Sequence, residues 1–124
     1  MLWLGIAVAG AFGALSRWGL DRLFGKWAPT FPYGTLAANL AGCFLLGLTL
    51  ALAEHARWMS NEMRVVLAVG FVGTLTTFST WQLETLRMAL RGDVLLAAGN
   101  FAVNVFFGFL LIWAGGRLVA GAWR

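Results

Sequence analysis

The chain has 124 residues, of which 60% are hydrophobic and 11% are charged, and its formal net charge is +4 at pH 7. A water-soluble core of this size cannot bury so much apolar surface, so the composition excludes an ordinary soluble protein. The nine Lys and Arg residues are dispersed among loops and helix ends. That arrangement suits lipid head groups and argues against a nucleic-acid partner.

Four uncharged runs predict four transmembrane helices in one membrane domain. The runs are Met1–Ser16, Trp27–Ala53, Val65–Leu83 and Val94–Gly116. A bilayer core needs about 20 helical residues, and the first run reaches that length only by continuing past Arg17. With their flanks, the predicted helices cover about residues 2–24, 33–54, 62–90 and 94–121 of the single transmembrane domain 1–124. The fold class is therefore an all-α membrane protein.

The third run has hydroxyl groups at its centre. The segment Gly73–Trp81 contains Thr74, Thr76, Thr77, Ser79 and Thr80. Hydrocarbon cannot solvate hydroxyls, so this segment predicts contact with protein or with a water- or ion-filled path. So many hydroxyls also predict an interrupted helix near Gly73–Thr77, whose free carbonyls suit Na⁺ and whose free N–H groups suit an anion. A kinked helix with internally bonded hydroxyls fits the pattern equally well.

Other polar or aromatic side chains lie in the same predicted spans. Phe78 and Trp81 share a helix face, and their ring edges can meet an anion or simply pack. Asn39 and Asn104 lie in the middle of helices two and four. Their amides either join helices, for about 1 kcal/mol, or line an anion path.

Glu84 ends the third run one turn after Thr80. Two interpretations remain open: a helix-end carboxylate paired with Arg87 or Arg91, or a group at the mouth of a pathway. No Ser/His/Asp constellation, metal-ligand cluster or nucleotide-binding loop occurs in the sequence. The motifs therefore give no support to an enzyme.

The basic residues barely favour one side of the membrane. One side has Arg57, Arg64, Arg117 and Arg124, and the other has Arg17, Arg22, Lys26, Arg87 and Arg91. Orientation normally follows an excess of Lys and Arg on one side, and four against five is scarcely an excess. The charge pattern thus predicts insertion in both orientations and an antiparallel homodimer.

An ordered set of motifs carries a family resemblance. The motifs are Gly10-x-x-Gly13-Ala14-x-x-Arg17, Gly34-Thr35-Leu36-x-x-Asn39-x-x-Gly42, and Gly70-Phe-Val-Gly73-Thr-Leu-Thr-Thr-Phe-Ser-Thr80 followed by Glu84. Across all four helices the chain resembles the Fluc (CrcB) fluoride-channel family of microorganisms. The resemblance implies a passive, fluoride-selective channel that exports cytoplasmic fluoride and confers fluoride resistance. It also implies an antiparallel, dual-topology homodimer in the cytoplasmic (inner) membrane.

The resemblance further implies roles for individual residues. The carbonyls of Gly73 and Thr76 from both subunits would hold one central structural Na⁺ at the dimer interface, and Arg17 would stand near a vestibule. The implied fluoride pore comprises Asn39, Phe78, Trp81, Thr80, Thr35, Ser79, Asn104 and Glu84. Trp81 replaces the family's usual second phenylalanine, and Asn104 replaces a usual serine.

Two other classes compete with a fluoride channel. A small four-helix, dual-topology multidrug or cation exporter has about this length, but it requires a membrane-embedded carboxylate. No Asp or Glu lies within the first run, where such a protein would carry it. A non-transporting helical scaffold would leave the hydroxyl cluster and the paired asparagines unexplained.

Overall fold

The computed structural model describes residues 1–26 and 30–119, and every regular element within those ranges is a helix. The elements are α1 (Leu2–Gly25), α2 (Tyr33–His55), α3 (Asn61–Val65), the π-helical segment Val66–Val72, α4 (Gly73–Leu75), α5 (Phe78–Leu90) and α6 (Val94–Arg117). The stretch Asn61–Leu90, from α3 to α5, is one interrupted crossing and is called the third span. The predicted all-helical fold is confirmed.

The fourth predicted helix and the first loop both extend beyond the described residues. Helix α6 ends at Arg117, and residues 118–119 form a turn. The predicted end at residue 121 lies outside the described residues, as do residues 27–29 of the first loop.

Three helical stretches are long and apolar enough to cross a membrane. These are α2, the third span and α6, with 23, 30 and 24 residues and mean hydropathies of 2.0, 1.4 and 2.0. Helix α1 also has 24 residues, the length of a crossing. Arg17, Asp21 and Arg22 make its C-terminal part more polar than the other three.

Helices α2 and α6 pack backbone to backbone. A side chain at Gly47 would overlap the carbonyl of Ile112, and one at Gly115 would overlap the carbonyl of Phe44. Because lipid gives no hydrophobic force between helices, such close approach is what lets dispersion hold them together. The glycines therefore fix α2 against α6.

Helix α1 packs against the first half of the third span in the same way. A side chain at Gly13 would overlap the Oγ1 of Thr74 and the carbonyl of Phe71. The Thr74 hydroxyl lies 2.9 Å from the Gly10 carbonyl and 2.7 Å from the Gly70 carbonyl. One of the five predicted hydroxyls thus serves the contact between α1 and the third span.

The third span changes its helical pitch before it breaks. Residues Val66–Val72 form a π-helix, and the Gly73 N–H still reaches back five residues to the Ala68 carbonyl. Only one α-helical stretch, Gly73–Leu75, follows before the chain becomes extended. Such π segments inside helices are frequent at functional sites.

Candidate ion pathway at the break in the third span

The third span breaks at two extended residues. Thr76 has φ −79° and ψ 155°, and Thr77 has φ −148° and ψ 115°. In an unbroken helix the Thr77 N–H would donate to the Gly73 carbonyl. It donates instead to Oδ1 of Asn39 on α2, at 2.8 Å. The predicted interruption is present, and a side chain of another helix accepts the hydrogen bond from the freed N–H group.

The break removes the usual helical partners from the carbonyls that end the first half of the span, and those of Gly73 and Thr76 are among them. The Gly73 carbonyl loses the Thr77 N–H, as described above. The Thr76 carbonyl loses the Thr80 N–H, which donates to the Thr77 hydroxyl at 3.3 Å. Arg17 Nη1 lies 3.5 Å from the Thr76 carbonyl oxygen, at the outer limit of a hydrogen bond. The Gly73 and Thr76 peptide oxygens are therefore among those available as hard ligands.

A chain of amide side chains crosses from α2 to α6. Asn39 Nδ2 donates to Asn104 Oδ1 at 3.0 Å and lies 3.4 Å from the Thr77 carbonyl. Asn104 Nδ2 lies 2.9 Å from the Asn100 carbonyl and 3.1 Å from Asn100 Oδ1. The predicted mutual bonding of the helix-two and helix-four asparagines is present, and it joins α2 to α6 at the level of the break.

Trp81 is buried, with 7% of its surface exposed, and its polar atom is satisfied within the protein. Its Nε1 donates to the Asn100 carbonyl at 3.3 Å. Its ring stacks on Phe101, with centroids 5.4 Å apart, and meets Phe78 edge-on at 5.5 Å. Since the indole N–H is occupied, only the ring carbons of Trp81 remain for contact with another group.

A groove of about 280 Å³ opens beside the break. Its walls are formed by residues of α2, α6 and both halves of the third span: Asn39, Gly42, Cys43, Leu46, Val72, Thr76, Thr77, Phe78, Trp81, Asn104 and Val105. Four of the predicted pore residues therefore meet in one place. Phe78 is 71% exposed in the single chain and forms the outer edge of this groove.

Two other predicted pore residues pair away from the groove. Thr35 is 2% exposed, and its hydroxyl donates to Oε1 of Glu84 at 2.9 Å. Oε2 of Glu84 is buried and has no partner in the part of the chain that the structure describes. Glu84 lines a second cavity, of about 250 Å³, together with Arg87 and Arg91. Within the described residues it forms no ion pair with either arginine.

The remaining hydroxyls divide between internal bonds and open surface. Thr76 Oγ1 donates to the Val72 carbonyl at 3.1 Å, as in a kinked helix. Thr77 Oγ1 donates to Thr80 Oγ1 at 2.9 Å, so the hydroxyl proton of Thr80 is left for another acceptor. Ser79 is exposed on the outer side of α5. The cluster therefore combines an interrupted helix, at Thr77 and Thr80, with hydroxyls bonded to their own helix, at Thr74 and Thr76.

Sequence reasoning missed two members of this polar network. Neither Asn100 nor Thr85 is among the residues that the sequence singles out. Asn100 is completely buried, its Nδ2 donates to Thr85 Oγ1 at 2.8 Å, and Thr85 donates to the Trp81 carbonyl at 2.7 Å. The available signal was the four-residue spacing of Trp81 with Thr85 and of Asn100 with Asn104.

Comparison with known proteins identifies the family. A family model described as "CrcB-like protein, Camphor Resistance (CrcB)" matches residues 4–116. A protein of Symbiobacterium thermophilum named "Fluoride-specific ion channel FluC 1" is 42% identical over 121 residues, covering 93% of this chain and 94% of its own. A protein of Salinibacter ruber named "Fluoride-specific ion channel FluC" is 44% identical, and the match covers 93% of this chain and 85% of the relative. A protein of the same name in Acidobacterium capsulatum is 38% identical, and the match covers 97% of this chain and 100% of the relative. The chain belongs to the CrcB-like family, which is a family of channels and not of enzymes.

Proposed function

We propose that this protein is a passive, fluoride-selective channel that lets cytoplasmic fluoride leave the cell through the cytoplasmic membrane. The observation that carries the proposal is the groove at the break, where Asn39 offers an uncharged hydrogen-bond donor and Phe78 a ring edge, with the Thr80 hydroxyl bonded to Thr77 of the groove wall. Fluoride is small and strongly hydrated, so its passage requires donors that replace water. Donors without fixed positive charge allow an ion to bind and still leave.

Export follows from the acid–base chemistry of the ion. Hydrogen fluoride is a weak acid that crosses a membrane as a neutral molecule and dissociates in the cytoplasm. The trapped anion then leaves through a passive conduit without a source of energy. Resistance to environmental fluoride is the physiological consequence.

The exposed side of the third span supports a homodimer. Gly73, Phe78 and Ser79 are all exposed in the single chain, although they lie in the middle of a membrane crossing. Free carbonyls and hydroxyls are costly in hydrocarbon, so this surface requires a protein cover. A second copy inserted in the opposite orientation supplies it, and the even division of Lys and Arg supports insertion both ways. In this arrangement α1 is the fourth crossing of each subunit.

The freed carbonyls fit a structural Na⁺ at the centre of that dimer. The oxygens of Gly73 and Thr76 have lost their helical donors, and Gly73 lies on the exposed face. Two copies would contribute four oxygen atoms, the ligand type that hard cations prefer. The ion would tie the two broken spans together, and Arg17, beside Thr76, would stand between this centre and a vestibule that attracts anions.

Fluoride efflux from liposomes tests the proposed activity directly. Purified protein in liposomes loaded with fluoride is expected to release it, whereas chloride is retained. Phe78→Ile and Asn39→Asp are expected to suppress the efflux while the dimer stays intact on gel filtration. Phe109→Ile is the matched control, since Phe109 is 72% exposed on α6 and does not line the groove. Absence of fluoride efflux from the wild-type liposomes, or wild-type efflux in both variants, contradicts the proposal.

Replacement of Na⁺ tests the cation separately. A ligand bound only by the assembled dimer stabilises it, so exchange of all Na⁺ for N-methyl-D-glucamine is expected to lower the thermal midpoint of the dimer and to reduce fluoride efflux. Full efflux and unchanged stability after exhaustive exchange would rule out a structural Na⁺.

A further inference from the structure

Five hydrogen bonds run in one direction from the third span through α2 and α6 and back to the third span. The donors and acceptors follow in the order Thr77 N–H, Asn39, Asn104, Asn100, Thr85 and the Trp81 carbonyl. Each residue between the two ends accepts one bond and donates the next. This series is called the amide relay.

Backbone groups fix the direction of the amide relay at both ends. The Thr77 N–H can only donate, so the Asn39 atom 2.8 Å away must be its oxygen. The Trp81 carbonyl can only accept, so the Thr85 hydroxyl donates to it and must accept from the Asn100 amide. The three asparagines between these ends therefore have one consistent orientation each.

Asn39 is the amide of the relay that has a proton without a short hydrogen bond. Asn104 places its NH₂ group against two acceptors of Asn100, at 2.9 and 3.1 Å, so both of its protons are occupied. Asn39 uses one proton for Asn104 at 3.0 Å, and its second contact, to the Thr77 carbonyl, is long at 3.4 Å. Hydrogen bonds of that length are weak, so this second proton is the one that can turn to an ion.

We propose that Asn100 and Thr85 are positioning residues that orient Asn104 and, together with the Thr77 N–H, hold Asn39 in one orientation, so that Asn39 alone presents an amide proton to the groove. The inference rests on the proposed function and reassigns Asn104 from a fluoride donor to a support for Asn39. Reversal of the relay would turn the Asn39 oxygen toward the groove, where its lone pairs repel an anion. The orientation of side chains outside the groove thereby controls anion passage.

Side-chain amide spectra test this assignment on the intact protein. The chain has four asparagines, Asn39, Asn61, Asn100 and Asn104, so a ¹⁵N-asparagine-labelled sample in micelles gives four side-chain NH₂ pairs. Single Asn→Asp variants assign them. Sodium fluoride is expected to shift the Asn39 pair, whereas the Asn104 pair and the exposed Asn61 pair stay in place, and sodium chloride is expected to shift none.

Variants of Thr85 supply the second measurement. Thr85→Val removes the hydroxyl that anchors Asn100, and the loss of one hydrogen bond predicts a fall in fluoride efflux of about two- to tenfold. Thr85→Ser restores the hydroxyl and is expected to restore both the efflux and the fluoride shift of Asn39. Thr49→Val is the matched control, because Thr49 is also buried but lies ten residues further along α2 than Asn39.

The outcomes separate this inference from the proposed function. Wild-type efflux with a fluoride shift at Asn104, or without one at Asn39, overturns the reassignment and leaves the channel proposal standing. Efflux in Thr85→Val equal to that in Thr85→Ser overturns the role of Thr85 in the same way. Absence of wild-type efflux overturns both, because the inference depends on an ion in the groove.

Discussion

The third span and α6 are both apolar crossings with polar side chains at their centres, yet one breaks and the other does not. In α6, Asn104 donates to the Asn100 carbonyl one turn earlier without displacing a helical bond. In the third span, Asn39 supplies both an acceptor for the Thr77 N–H and a donor for its carbonyl. A membrane helix can therefore open where another helix provides replacement partners for its backbone, because lipid provides none.

The largest effect is expected on removing those replacement partners. Asn39→Leu would leave the Thr77 N–H without its acceptor and Asn104 Oδ1 without its donor, at about 1–3 kcal/mol for each group. We expect the free energy of unfolding in micelles to fall by about 2–6 kcal/mol and fluoride efflux to disappear. Asn61→Leu, at an exposed position before the π-helical segment, is expected to change stability by less than about 0.5 kcal/mol. Equal stability of the two variants would refute the account of the break.

A smaller effect is expected at the contact that holds the third span against α1. In Gly13→Ala the new methyl group would overlap the Thr74 hydroxyl and the Phe71 carbonyl. Overpacking of this kind costs about 1–3 kcal/mol, measured as a shift in the unfolding midpoint.

Gly19→Ala is the matched control on the same helix. Nothing lies within 4 Å of the position that its methyl group would take. Because alanine is the better helix former, this variant is expected to be about 0.5–1 kcal/mol more stable than the wild type. A loss of stability equal to that of Gly13→Ala would show that α1 tolerates no added methyl group, whatever its neighbour.

The smallest effect is expected from Trp81→Phe. The change removes the indole donor, but the Asn100 carbonyl keeps its bond from Asn104. We expect a loss of about 0.5–1.5 kcal/mol in stability and fluoride efflux close to that of the wild type. Trp113→Phe, at an exposed site near the end of α6, controls for the loss of a tryptophan. A tenfold fall in efflux with Trp81→Phe alone would mean that the indole N–H contacts the ion.

Much of the fold follows from sequence because one physical requirement dominates it. Long uncharged runs must be helical in a bilayer, so the positions of α2 and α6 are close to those of their runs. The hydroxyls after Gly73 likewise predict an interruption, since side-chain bonds to the backbone compete with the helix. The π-helical segment Val66–Val72 left no such signal, because its residues are ordinary apolar ones.

The candidate site was only partly predictable. One groove is lined by four of the predicted residues, Asn39, Phe78, Trp81 and Asn104. Thr35 does not line it, and its hydroxyl donates to Glu84 instead. Thr35 and Glu84 are 49 residues apart, and nothing in either residue's surroundings in the sequence indicates the other.

The sequence alone determined that this protein is helical and lies in a membrane, and it predicted a kink or an interruption in the third crossing, since run length and side-chain chemistry are local properties. Tertiary structure decided which hydroxyl joins two helices, which carbonyls are free and which asparagine has an amide proton without a short hydrogen bond. Those outcomes depend on the direction of hydrogen bonds between α2, α6 and the third span. Each amide can point two ways, and only its partners from distant parts of the chain select one.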